Sequence, residues 1–197
     1  MTRSISFFLA IVFSLTTAAC AQNAADKHAV NQAISAAPDE LKEGATVYGY
    51  NSDGTLRLIR QGTNDLICTP DDPEKEGFET ACFQKDIFDY IARGRVLRAE
   101  GMDGQASVAK RKEEIAAGTL PFVKGQATQY IRYGDNATYD EATGQVLNSS
   151  VRFVIYIPGA TPESTGLPTA PMGPGAPFIM DAGTFRAHIM IVPPESN

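Results

Sequence analysis

The 197-residue chain is 43% hydrophobic and 20% charged, a balance that suits one globular domain and excludes a disordered, fibrous or multi-span protein. Its formal net charge of −6, with no stripe of Lys and Arg to reverse it, argues against a nucleic-acid partner. The run Lys110-Arg111-Lys112 is followed at once by Glu113 and Glu114 and is internally neutralised.

Arg3 precedes an apolar run from Ile5 to Leu15 and the small residues Thr16 to Ala19, which reads as a secretory signal over residues 1–20, too short for a spanning helix. The junction "LTTAACAQ" offers two processing routes. In one it resembles a lipobox, cleaved before Cys20, whose sulfur then carries lipid. In the other an A-x-A site is cleaved after Ala21. Either way Cys20 is no thiol in the mature chain. Cys68 and Cys82 remain, and in an oxidising compartment such a pair is a disulfide.

Residues 21–43 read as a tether carrying a short alanine-rich helix that ends before Pro38, ahead of a single domain over 44–197. Alternating runs at 45–50 and 55–60 flank Asn51-Ser52-Asp53-Gly54, a hairpin signal. From Phe83, the positions Phe83, Ile87, Ile91 and Leu97 keep helical spacing, although Gly94 weakens that helix internally. A turn at 101–105 leads to a second helix, Ala106 to Ala117, stopped by Gly118 and Pro121. The period then becomes extended, with strands predicted at 126–134, 144–158 with a break at Asn148, 177–181 and 187–193, and with positive φ at Gly144. The pattern predicts an α+β domain, a mainly antiparallel sheet with two or three helices on one face. Residues 158–177 stand apart. They hold six of the twelve prolines and four glycines, and so long a loop between two strands is functional or disordered.

The stretch Cys68 to Cys82 carries Asp71, Asp72, Glu74, Glu76 and Glu79. Nearby carboxylates raise a thiol pKa, and the pair lacks the short C-x-x-C spacing of a dithiol catalyst, so it reads as a structural staple. The five acids are the alternative, a calcium loop, although their order lacks the alternation of an EF-hand. His28 and His188 are the only histidines, with no H-x-x-x-H or paired-cysteine knuckle for zinc. No G-x-S-x-G and no phosphate-cradling glycine motif occurs, and no cofactor is implied. A hydrolase or lyase would have to use His188 with Asp135 or Asp181.

Three stretches, "GTNDLICTPD" (62–71), "QYIRYGD" (129–135) and "AHIMIVP" (187–193), together resemble a family of secreted bacterial proteins with no assigned activity. The chain departs from that pattern at Leu66, where an aromatic is expected, and at Arg186-Ala187, where Gly-Pro is expected. The resemblance implies a secreted location and one domain and carries over no catalytic residue. It draws attention to Asn64, Asp71, Asp135 and His188 as polar residues that either converge on a pocket or serve local turns.

The expectation is therefore a non-catalytic binding or envelope-associated domain in the periplasm or outside the cell. Its partner would be an envelope protein or a small molecule, and it would touch membrane only through lipid at Cys20. The contact surface would be the 158–177 loop with Phe178 and Phe185. The rival expectation is the small hydrolase or lyase built on His188.

Overall fold

A computed structural model describes residues 22–194; the signal segment, with Cys20, lies outside the described residues. Helix α1 (22–33) runs into a 310 turn, Ile34–Ala36, and the chain turns extended at Ala37, ahead of Pro38. A single helical turn, α2 (Asp39–Lys42), leads into strand β1 (Thr46–Tyr50). The expected hairpin joins β1 to β2 (Leu56–Arg60). Asp53 caps its turn by accepting from the Thr55 backbone N–H at 2.9 Å.

Strands β3 (Leu66–Thr69) and β4 (Phe78–Gln84) are antiparallel partners in which Cys68 stands directly opposite Cys82. The disulfide joins these two positions, so the expected staple is a rung within the sheet, between adjacent strands. The helix predicted from Phe83 begins later, because Cys82 and Phe83 belong to a strand paired on both sides, with β3 and with β5 (Ala127–Gly134). A 310 turn, Lys85–Ile87, precedes α3 (Phe88–Ala99). Helix α4 (Gly104–Ala116) follows, its first turn capped by Asp103, which accepts from Ala106 N–H at 2.8 Å.

A short hairpin, β6 (Thr138–Asp140) with β7 (Gln145–Leu147), branches off before β8 (Ser150–Tyr156). Gly144 has the expected positive φ, and the expected break falls at Asn148, itself at φ 53°. Helix α5 (Pro162–Thr165), β9 (Phe178–Met180) and β10 (His188–Ile191) complete the chain. The main sheet has the order β2-β1-β3-β4-β5-β8-β10-β9, antiparallel throughout except for β1 beside β3. The predicted α+β class with a mainly antiparallel sheet and one disulfide holds.

Helices cover both faces rather than one. Ile67, Phe83, Ile131, Val154 and Tyr156 point to the face on which Phe88 and Ile91 of α3 pack. Their strand neighbours Leu66, Cys68 and Cys82, with Val47, point to the opposite face, against Ala33 and Val30 of α1 and Ile34 after it. Helix α1 is thus part of the core and not a tether: Ala33 has no exposed surface, and Arg57 of β2 pairs with Asp26.

Candidate functional site

The acidic stretch between the cysteines spans the β3–β4 connection, and arginines engage two of its five acids, Asp72 and Glu79. The side chain of Asp72 is buried and pairs with Arg95 of α3, with Arg98 at 3.9 Å. Burial pushes the Asp72 carboxyl up, but the Arg95 hydrogen bond and the two guanidinium charges outweigh it and hold the group below the usual carboxylate range. Arg95 also donates to the Tyr50 hydroxyl at 3.0 Å, which in turn donates to Pro70 O at 3.3 Å. Asp71 accepts the Glu79 N–H at 2.8 Å, and its carboxyl is raised by burial. Glu79 pairs with Lys75 at 3.3 Å and with Arg152 at 2.6 Å. Glu74 and Glu76 are exposed, and among the described residues no cluster of acids, histidines and cysteines forms a metal cage. Two of the five acids, Asp72 and Glu79, thus tie the loop to α3 and β8, while Glu74 and Glu76 remain exposed.

The polar grouping does not converge. Asn64 accepts from Leu66 N–H at 3.0 Å, which is local turn chemistry, and donates to Leu41 O of α2 at 2.9 Å, which ties that turn to the preceding helical turn. His188 pairs with Tyr156, which pairs with Ala127, whereas Asp135 follows Gly134 at the other end of β5. At ~3.3 Å per residue, the eight residues from Ala127 to Asp135 put these two positions about 26 Å apart along the sheet.

His188 is 6% exposed, and its Nδ1 lies 2.7 Å from Arg186 O, an acceptor only, so Nδ1 carries the proton. Its ring packs 5.5 Å from Tyr156. Asp181 does not reach it; its carboxylate lies 3.5 Å from Arg186. Phe185 stacks edge-on against Phe122 at 5.5 Å and Tyr90 at 6.0 Å, so it belongs to an aromatic cluster under α3 rather than to a contact surface. Two phenols in this cluster, Tyr90 and Tyr156, are raised by burial.

Arg111 of α4 lies over the Tyr90 ring at 3.9 Å and donates to Tyr90 O at 3.0 Å. It lies close against residue 94, a glycine: a Cβ there would stand 2.7 Å from Arg111 Nη1 and make the guanidinium shift. The glycine that weakens the helix in sequence is thus where a guanidinium crosses it. Neighbouring side chains of the same basic run turn outward, and Arg93 holds Glu114 at 2.8 Å across the helix pair. Arg111 itself has no carboxylate partner among the described residues, and burial, with a smaller push from Arg186, lowers its pKa. Sequence reading missed it because residues 110–114 look neutral in line. The interior glycine at 94 was the available signal.

The long 158–177 segment is ordered by local bonds. Thr161 and Ser164 form a reciprocal capping box around α5, and Ala160 and Leu167 pack with Ile179 and Ala187. Beyond Pro168, whose carbonyl accepts from Ile179 N–H at 2.9 Å, the chain overhangs the sheet and makes one wall of a cleft of about 590 Å³. Tyr133, Phe178, Pro171, Pro174, Pro193 and Pro194 line it, with Ser150 in its floor. Tyr133, Ser150 and Phe178 share the sheet face that α3 covers further along, and no helix residue lines the cleft. Arg152 stacks on Tyr133 at 4.5 Å with its buried Nε unpartnered, placing a cation behind this aromatic wall.

Compared with known proteins, the chain matches no family model, no curated protein and no solved structure.

Proposed function

We propose that this chain is an exported, non-catalytic binding domain and that the cleft beneath residues 171–176 is its recognition surface. The carrying observation is the cleft's construction: an open concavity of about 590 Å³ walled by Tyr133, Phe178 and four prolines. Rigid aromatic and proline walls lose little entropy on binding and suit an extended, apolar or proline-containing segment of an envelope protein. The structural disulfide is compatible with an oxidising compartment. In this reading residues 1–20 direct export and Cys20 carries lipid.

The hydrolase reading has less support, since His188 is directed at a backbone carbonyl and both candidate carboxylates are elsewhere. The test replaces residues 169–176 with a short Gly-Ser linker and pairs that variant with Phe178→Ala. Loss of peptide or envelope-partner binding with an unchanged circular dichroism spectrum is the expected result. Unchanged binding in both variants would remove the cleft from the argument.

A further inference from the structure

A second concavity, away from that cleft, lies between α3 and α4. It has a volume of about 190 Å³, and its polar wall holds Arg95, Arg98, Arg111 and Lys75 against two acids, Glu79 and Asp103, with Ser107 and Gly104 beside them. Three arginines facing one small cavity in a protein of net charge −6 call for an account.

The charges do not cancel inside the site. Arg95 is taken by Asp72, and Lys75 by Glu79. Asp103, the other acid on the wall, is turned onto the first turn of α4, accepting Ala106 N–H at 2.8 Å. That leaves Arg98, which meets Asp72 only at 3.9 Å, and Arg111, which is held by the backbone carbonyls of Ser107 and Tyr90 and has no ion-pair partner among the described residues. A partly buried guanidinium without a counter-charge is costly, and an anion entering from solvent relieves that cost.

The remaining wall supplies donors. Ser107 is 4% exposed and lines the cavity, where its hydroxyl can serve as a donor. Gly104 is the first residue of the 13-residue helix α4, so its N–H has no partner within the helix, and the positive end of the helix dipole lies at the cavity. Gly94 keeps the α3 wall bare of a side chain and lets Arg111 lie across it.

We propose that the α3–α4 cavity binds a dianionic phosphoryl group through Arg98, Arg111 and the Ser107 hydroxyl. Arg111, without an ion-pair partner among the described residues, and the exposed Arg98, which meets Asp72 only at 3.9 Å, present two guanidiniums to a doubly charged group, and their planar forks match the oxygens of a phosphate. The group arrives either as a small phosphate or on the headgroup of an acidic lipid. The site shares no residue with the proline-walled cleft, so each stands or falls separately.

The test uses the exported chain with its disulfide intact. Inorganic phosphate is titrated at constant ionic strength while the backbone amides of Gly104 and Ser107 are followed by NMR, with acetate as the monoanionic control. Bilayers of phosphatidylcholine with and without phosphatidate form the second arm. Saturable movement of both amides with phosphate, absent with acetate, is expected. Arg98→Gln, at an exposed side chain that leaves the fold intact, should weaken phosphate at least about tenfold, the loss of one charge-assisted hydrogen bond. Ser107→Ala should weaken it by a smaller factor. Binding to phosphatidate bilayers alone, abolished by Arg98→Gln, assigns the same group to a lipid. No saturable response in either arm, an equal response to acetate, or full affinity in Arg98→Gln overturns the proposal.

Discussion

Replacing Arg95 of α3 by leucine should destabilise the domain more than removing any other cation that pairs with the acids between Cys68 and Cys82. The substitution leaves the Asp72 carboxylate, on a side chain 9% exposed, with Arg98 at 3.9 Å as its nearest cation. It also removes the donor at 3.0 Å to the Tyr50 hydroxyl. Breaking a buried pair from one side costs ~3–5 kcal/mol; with Arg98 partly compensating, the lower end, about 3 kcal/mol, is expected. For a chain of this size that corresponds to a Tm lower by roughly 6–12 °C. Urea unfolding gives the free energy directly, and an unchanged m-value confirms that the folded and unfolded states keep their exposed areas. Asp72→Leu combined with Arg95→Leu should recover much of the loss, because no charge is then stranded. The pair also leaves a pH signature. Since the folded Asp72 carboxyl titrates below its unfolded value near ~3.9, its contribution is complete above that pH. It fades as pH falls through the lower, folded value, and the Arg95→Leu protein should lack this acid-side loss. A cost under about 1 kcal/mol, the range of an exposed pair, would refute the claim that Asp72 is held in a dry, paired setting.

Reducing the Cys68–Cys82 rung, or replacing both cysteines with serine, should cost about 3 kcal/mol in the chain-entropy account of a loop this long, read as a shifted urea midpoint with and without reductant. A midpoint that ignores reductant would mean the paired strands β3 and β4 already restrain the unfolded chain. Millimolar calcium and its chelator should leave the Tm unchanged, because Asp72 and Glu79 are engaged by arginines and Asp71 by a backbone N–H. A calcium-dependent rise would show that the acids can leave those partners.

Local signals were legible wherever local chemistry decides. The Asn51–Gly54 hairpin, the Asp103-capped second helix, the positive φ at Gly144 and the break at Asn148 follow from short-range turn and cap energetics. Phe83 shows the limit. Its spacing with Ile87, Ile91 and Leu97 fits a helix, yet pairing of β4 with β3 and β5 keeps it extended, since ladder bonds on both edges outweigh a weak periodic preference. Phe185 was singled out as a contact residue because it neighbours the long loop; it is instead spoken for by Tyr90 and Phe122, which lie far from it in sequence.

The sequence by itself determined the α+β class, the single disulfide pair and the separateness of the proline-rich segment, because composition, periodicity and cysteine count are properties of the chain read in line. Only the tertiary structure decided which charges are spent and which remain. Asp72 meets Arg95 across a loop and a helix, and Arg111 crosses α3 at Gly94 with no acid among the described residues to meet it. Charge balance in a line of residues says nothing about neutralisation in space, since the Coulomb energy depends on separation through the fold and on the water excluded there.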